Sequence, residues 1–453
     1  MLRKLSKTKK ASIVVIATYV LSQILKLGSN LILTRLLAPE FFGFMAFAFS
    51  ILVLLTMLCD LGVNTSLVRN QDSETKEFRN TAFTLQVTVG FIIATLVLCL
   101  ALAIYLGQEF GVLIGQNIYA HSDTPILLLL VAIQPIITAF RSTKVAFASK
   151  HMDYGVLSSI EIASQVIGSV VSIGLAYFYP SLWGLIFASL LAVFINVVAG
   201  HIFLTGERDA FGWNALIFKR IFSFGKWVVL SSLVTATLTQ VDKLIFAAYI
   251  TPEQMGVYAI AGLLFLSIQQ VILTINSKVL FPKFSAAYNA GENLQLVFYN
   301  VRKKIDFFAF FCFATVFFCA KTIVDFLFSA DYALAGDLLQ LLSLQLLFIS
   351  VSFSTSIYMA IGKPKLATIV TGIEALTKIA LILILFELYG FYIAILGSSL
   401  YGVISFCVTV YINRHIQLFD LKKELLSLVS IIPCLLLGYL AGIVIYFLSR
   451  FIG

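Results

Sequence analysis

Apolar residues run along this chain in stretches of about twenty or more, separated by short polar or basic connections. A helix that crosses a bilayer needs about 20 mostly apolar residues. Thirteen segments meet that description: 11–36, 40–68, 80–106, 124–147, 155–178, 181–204, 221–249, 254–281, 304–328, 336–361, 365–387, 391–413 and 425–450. The pattern predicts an all-α integral membrane protein. Connections as short as Tyr179-Pro180 and Gly362-Lys363-Pro364 force the flanking helices to run antiparallel. Pro135 and Pro433 predict kinks in the fourth and last segments.

Composition agrees with the pattern. Of 453 residues, 60% are apolar and 12% charged, against about half and a quarter in a soluble domain. The net charge of +9 points to topology and not to nucleic acid, because the basic residues sit in clusters between apolar runs. Clusters occupy the N-terminus (Arg3, Lys4, Lys7, Lys9, Lys10) and every second connection. Those connections hold Arg69, Lys76 and Arg79; Arg141, Lys144 and Lys150; Arg208, Lys219 and Arg220; Lys278, Lys283 and Arg302 to Lys304; Lys363 and Lys365; and Arg414, Lys422 and Lys423. The intervening connections carry no Lys or Arg. The positive-inside rule then places the N-terminus and the clustered side in the cytoplasm, with a bacterial plasma membrane the preferred location. The first run, Ala11 to Leu37, is too long for the core of a signal peptide and contains Lys26, so it reads as a retained span. The six cysteines lie within apolar runs without metal-ligand spacing; they read as small hydrophobes, and no metal or cofactor is expected.

The chain repeats itself at an offset of 213 residues. Leu37-Ala38-Pro39-Glu40-Phe41-Phe42-Gly43 returns as Ile250-Thr251-Pro252-Glu253-Gln254-Met255-Gly256, Lys150 as Lys363, and Ile160-Glu161 as Ile373-Glu374. Six spans per copy keep both copies in one orientation, which makes the repeat parallel. The expected organisation is a six-helix lobe at 1–205, a cytoplasmic amphipathic linker at 206–222, a second six-helix lobe at 223–414, and an extra helix within 415–453. The linker, with Trp213 and Phe218 beside Lys219 and Arg220, reads as an interfacial helix. Two like lobes suit alternating access around a central site.

Polar residues within spans are costly and mark functional faces. Span 1 carries Tyr19, Gln23, Lys26 and Asn30; span 2 carries Thr56, Asp60 and Asn64. Their repeat mates carry Ser232, Thr235, Thr239, Gln240, Asp242 and Lys243 on span 7, and Ser267, Gln270, Thr274 and Ser277 on span 8. The substrate-facing set is expected to be Gln23, Lys26, Asn30, Asp60, Asn64, Thr239, Gln240, Lys243 and Gln270, with the two lysines favouring an anion. Asp60, Glu161, Glu374 and Lys378 are the candidates for coupling to a proton or sodium ion; a structural Glu374–Lys378 pair is the competing reading. Lys321 and Asp325 read as an interfacial pair, and none of the four histidines is assigned a role. Short outer loops without paired carboxylates, and the lack of a phosphate-binding Gly-rich loop, argue against an enzyme or a built-in ATPase.

Thr34 to Gly43, Asp60-Leu61-Gly62 and Leu67-Val68-Arg69, with Gln240 to Lys243 and Pro252 to Tyr258, resemble the bacterial polysaccharide-transporter family. These are the O-antigen and exopolysaccharide flippases of the multidrug/oligosaccharidyl-lipid/polysaccharide exporter superfamily. The resemblance implies two lobes forming a V, with spans 1, 2, 7 and 8 bordering the cavity. It implies an undecaprenyl-pyrophosphate-linked oligosaccharide carried from the cytoplasmic to the outer leaflet, with membrane lipids, a polysaccharide polymerase and glycosyltransferases as associates. Members commonly have twelve or fourteen spans, where thirteen are counted in this chain. A cation-coupled exporter of small molecules with the same fold is the alternative, and a membrane enzyme of glycan assembly a third.

Overall fold

A computed structural model describes residues 7–452; Arg3 and Lys4 of the expected N-terminal cluster lie outside the described residues. Among those residues the secondary structure is helical, with no strand. The chain divides into two compact units. One runs to Ala236 and takes in Ala247–Pro252; the other comprises Thr237–Phe246 and the chain from Glu253 onward.

The first unit is built from α1 (Lys7–Leu36), α2 (Pro39–Leu58), α3 (Val63–Arg69), α4 (Lys76–Glu109), α5 (Asp123–Val131), α6 (Ile133–Ala139), α7 (Lys144–Lys150), α8 (Tyr154–Phe178) and α9 (Leu182–Phe203), with most of α10 (Ala215–Tyr249). The second holds α11 (Pro252–Ile275), α12 (Phe281–Asn289), α13 (Leu294–Leu327), α14 (Leu334–Ser343), α15 (Ser352–Ala360), α16 (Pro364–Tyr389), α17 (Phe391–His415), α18 (Leu421–Val429) and α19 (Ile431–Ile452). Local chemistry sets the ends. Pro39 opens α2 at a position where its missing N–H costs nothing. Ser181 accepts from Gly184 N at 3.3 Å and Asn293 from Leu296 N at 3.2 Å.

Ten helices among the described residues are long and apolar enough to cross a membrane, and an eleventh span forms if α5–α6 and α7, bent by 59°, count as one. Thirteen continuous spans are therefore not found. Of the two other expected segments, α1 has the length, at 30 residues. The other, 336–361, is broken into α14, two 3₁₀ turns at Leu344–Leu347 and Ile349–Val351, and α15. The helices are interrupted near the two prolines: α5 and α6 part at Ala132, three residues before Pro135, and α18 and α19 part at Ser430, three before Pro433. The 34-residue α4 and α13 reach about 51 Å at 1.5 Å per residue, well beyond a hydrocarbon core of roughly 30 Å. Leu102, Leu376 and Leu426 are exposed on helix surfaces, which suits lipid and not water.

The repeat is visible in the irregularities. Shifting 124–147 by 213 gives 337–360, so the two broken spans are mates. In the same way α2 stops before a non-helical stretch at 59–62, and its mate α11 gives way to one π-helical turn at Asn276–Leu280.

Two further features matter below. The linker carries no regular secondary structure at 206–214; its helix starts at Ala215 and continues without interruption as α10. In the second unit, α18 and α19 are fastened to α13. Arg302 contacts Asp306 at 3.2 Å and Glu424 at 2.5 Å, Tyr299 Oη donates to Glu424 at 2.8 Å, and Ser427 Oγ donates to Asp306. Lys321 pairs with Asp337 at 2.7 Å and not with Asp325, because the facing α14 brings the stronger partner closer.

Candidate functional site

In the first unit the expected stripe on α1 exists, with Lys26 exposed and Gln23 and Asn30 half-buried; Asn30 Nδ2 donates to the Lys26 carbonyl at 2.8 Å. The expected continuous face on span 2 does not. The helix stops at Leu58, and Asp60 lies in the break, where its Oδ1 accepts from Gly62 N at 2.8 Å. Gly62 has φ +63°, a conformation that glycine adopts at low cost. The break still gathers the predicted residues. Thr56, Asp60 and Asn64 face one cavity of about 390 Å³, which Gln86, Gln134 and Arg141 complete.

A second cavity of about 690 Å³ opens among α1, α3, α7 and α8. It shares Asn64 and Arg141 with the first and adds Tyr19, Ser22, Arg69 and Glu161. Arg141, one of the residues in the basic connections, stands on the break between α6 and α7 and lines both cavities. Its guanidinium lies 4.0 Å from Glu161, an ion-pair distance and not a hydrogen bond. Glu161 is thus placed beside an arginine and on a cavity wall.

The break is braced by groups that the sequence did not single out. Gln86 Nε2 donates to the carbonyls of Ala139 and Arg141, both at 2.8 Å. His201 Nε2 donates to the Phe140 carbonyl at 2.7 Å. Asp209, in the linker, accepts from Ser142 Oγ at 2.6 Å and from the Thr143 hydroxyl. Irregular backbone at membrane depth survives only when its polar groups are satisfied from within the protein, and these three side chains do that. A sequence signal existed: an arginine six residues beyond an intramembrane proline, where a span must break.

In the second unit Lys378 is buried and pairs with Asp242 at 3.1 Å, while its Nζ also donates to the Leu238 carbonyl at 2.9 Å. Tyr258 Oη donates to Asp242. Glu374 takes no part; it accepts from Ser405. The competing Glu374–Lys378 pair is therefore not formed, because α10 offers Lys378 a partner across the helix interface. Lys243 donates to Gln240 Oε1 at 3.0 Å, and Gln240 Nε2 to Thr239 Oγ1 at 3.4 Å, so these three predicted residues form one local group. Gln270 is exposed on α11, where its carbonyl accepts from Thr274 Oγ1 at 2.7 Å. Gln23, Lys26 and Asn30 line neither of the two cavities described.

Residues 32–337, more than half of the chain, match the model of a family described as polysaccharide biosynthesis protein. The chain is 20% identical over 316 residues to the lipopolysaccharide biosynthesis protein WzxC of Escherichia coli (strain K12), a match that covers 69% of this chain and 61% of that protein. It is 21% identical over 395 residues to a Shigella flexneri protein named for O-antigen transport, covering 84% of this chain and 91% of the other. Among solved structures, lipid II flippase MurJ in an inward closed conformation aligns with a TM-score of 0.72 at 18% identity, over 97% of this chain and 98% of that one. An inward-facing multidrug-resistance MATE transporter of the MOP superfamily aligns with a TM-score of 0.68 at 15% identity, over 87% and 94%. These likenesses establish a shared fold.

Proposed function

The chain belongs to the polysaccharide biosynthesis protein family, and on that premise we propose that it is a flippase for a lipid-linked oligosaccharide. It moves its substrate across the membrane and breaks no bond in it. The observation that carries this reading is a cavity of about 690 Å³ that presents two arginines and several hydroxyls inside a unit whose outer surface is apolar. Such a cavity solvates a charged, hydroxyl-rich headgroup where lipid cannot. Relatives named for lipopolysaccharide biosynthesis, O-antigen transport and lipid II flipping support the same class of cargo.

The finer assignments are part of the proposal. Two six-helix lobes, 1–205 and 223–414, joined by 206–222 and followed by an extra helix within 415–453, rock between two states that bind the substrate differently. The N-terminus and the basic connections face the cytoplasm of a bacterial inner membrane. Gln23, Lys26, Asn30, Asp60, Asn64, Thr239, Gln240, Lys243 and Gln270 face the substrate, with Lys26 and Lys243 attracting its undecaprenyl pyrophosphate. Asp60, Glu161, Glu374 and Lys378 are the groups through which a proton or sodium ion would couple, and a polymerase and glycosyltransferases would act before and after transport. A cation exporter of the same fold is disfavoured by Arg69 and Arg141 on one cavity, which repel a positive cargo.

Reconstitution in vesicles tests the proposal. Native protein should deliver an undecaprenyl-pyrophosphate-linked oligosaccharide from one leaflet to the other, read by accessibility to a lectin or a glycosidase outside. Lys26→Ala should reduce that rate by roughly tenfold or more while reaching the membrane normally. Full activity of this variant removes Lys26 from the anion-facing set; no transport by native protein of any lipid-linked sugar refutes the function.

A further inference from the structure

We infer that the cavity among α1, α3, α7 and α8 is a pyrophosphate–sugar site in which Arg141 is the anchoring group and Glu161 holds its place when the site is empty. The inference deepens the flippase reading and rests on it for the identity of the cargo.

The Arg141 guanidinium reaches this cavity with little to hold it inside the protein: its Nε, covered by neighbouring atoms, has no hydrogen-bond partner. A guanidinium carries five donors, and the acid beside this one stops at 4.0 Å. Arg141 is nevertheless anchored through its main chain. Its own backbone lies on the 140–143 break, which Gln86, His201 and Asp209 brace from three other segments. An under-coordinated guanidinium on a braced backbone is suited to a phosphate, which it grips through two parallel N–H groups.

The rest of the wall fixes the class of ligand. Arg69 adds a second positive charge, and hydroxyls or amides of Ser22, Asn64, Ser149 and Ser158 surround the space. Two arginines repel cations. An apolar cargo would leave all these groups dehydrated and unpaired. A phosphate bearing a sugar satisfies both kinds of lining, and about 690 Å³ lies within the range of small-molecule sites. Glu161 is 45% exposed at its side chain, so an incoming anion can displace it without first dehydrating it. This behaviour separates it from its repeat mate Glu374, which is bonded to Ser405.

The test is binding, with the full chain in nanodiscs. The probes are undecaprenyl pyrophosphate, undecaprenol as the uncharged lipid, and inorganic pyrophosphate as the free anion. Arg141→Gln should weaken the lipid pyrophosphate by roughly tenfold or more and leave undecaprenol unmoved. Glu161→Gln should tighten it several-fold, because the competing carboxylate is gone; a purely structural ion pair gives no such gain. Unchanged affinity in Arg141→Gln, or an equal loss for undecaprenol, overturns the site. If Arg141→Gln does not fold, Glu161→Gln decides, and an affinity unchanged or weakened overturns it. Displacement by inorganic pyrophosphate as readily as by the lipid supports the site and assigns it to a free pyrophosphate. Arg141-dependent binding in a protein that transports nothing supports the site while refuting the flippase reading.

Discussion

Gln165 in the first unit and Lys378 in the second are repeat mates, and they begin with the same task. Gln165 Nε2 donates to the Ser22 carbonyl on α1 at 2.8 Å; Lys378 Nζ donates to the Leu238 carbonyl on α10 at 2.9 Å. Each ties the fifth span of its unit to the first. From there the units diverge. The amide of the first unit carries no charge, and the ion pair made by the neighbouring Glu161, with Arg141, sits on cavity walls with side chains 34% and 45% exposed. The lysine of the second unit is locked to Asp242, with side chains 8% and 9% exposed, and Tyr258 completes the set. The mated helices α8 and α16 thus use charge in two ways: loosely held and exchangeable at Glu161, dehydrated and fastening at Lys378.

The sharpest attempt to break this contrast compares Asp242→Ala with Glu161→Ala. The first leaves a buried ammonium unpaired and should cost about 3–5 kcal/mol; the second removes a loose, half-exposed partner and should cost about 0–1 kcal/mol. Chemical unfolding of the detergent-solubilised protein measures both, and equal losses would erase the distinction. Next in size is Gly90→Val. A side chain at Gly90 on α4 collides with Ala139 and the Pro135 carbonyl of α6, so the substitution should cost about 1–3 kcal/mol by overpacking. It should also displace the Arg141 break and weaken lipid pyrophosphate binding, while Asp242 and Lys378 stay paired. Binding unaffected by such a shift would detach the break from the site.

A smaller effect is expected when Asp242→Asn and Lys378→Gln are combined, which gives the second unit the neutral tie of the first. Removing both charges together should return stability to within about 1 kcal/mol of native. Transport by this double variant then separates two roles for Lys378: retained transport makes the pair a fastener, and lost transport in a stable protein makes it a coupling group. The smallest effect concerns Asp420, which caps α18 by accepting from Lys422 N at 3.1 Å and Lys423 N at 3.3 Å. Burial pushes its carboxyl up, but the N–H groups and the Lys423 ammonium outweigh that and hold it below the usual carboxylate range. Its contribution is therefore present above the ordinary carboxylate pKa and fades only as pH falls through the lowered value. Amide protection factors in α18, with the intrinsic pH dependence of exchange removed, should be constant from neutral to mildly acid pH and fall only in stronger acid; a fall already near neutrality would contradict this.

What was legible in the sequence depended on one-dimensional pattern. Span positions follow from runs of apolar residues, and the duplication follows from a constant offset between matched residues such as Pro39 and Pro252. Interruptions near Pro135 and Pro433 follow from a missing N–H. What was not legible depended on neighbours across helices. Apolar periodicity across 336–361 gives no sign of the 3₁₀ turns that divide it, and Asp60 keeps its helical spacing from Thr56 and Asn64 although the helix stops between them. Lys378 has an acid four residues away along its own helix, yet bonds one on α10. Arg141 belongs to the basic connections in the sequence, which gives no sign that it also walls two cavities.

The Arg302 cluster has a consequence for biogenesis. Arg302 and Asp306 are made long before Glu424 and Ser427, which complete their coordination. A nascent or truncated chain ending before Leu421 would hold a helix whose guanidinium lacks its second carboxylate. Such a defect is chemically distinct from the finished protein, and a membrane protease or chaperone that samples polar surface could tell the two apart. The Arg302 cluster thus closes only when Glu424 and Ser427 have reached it.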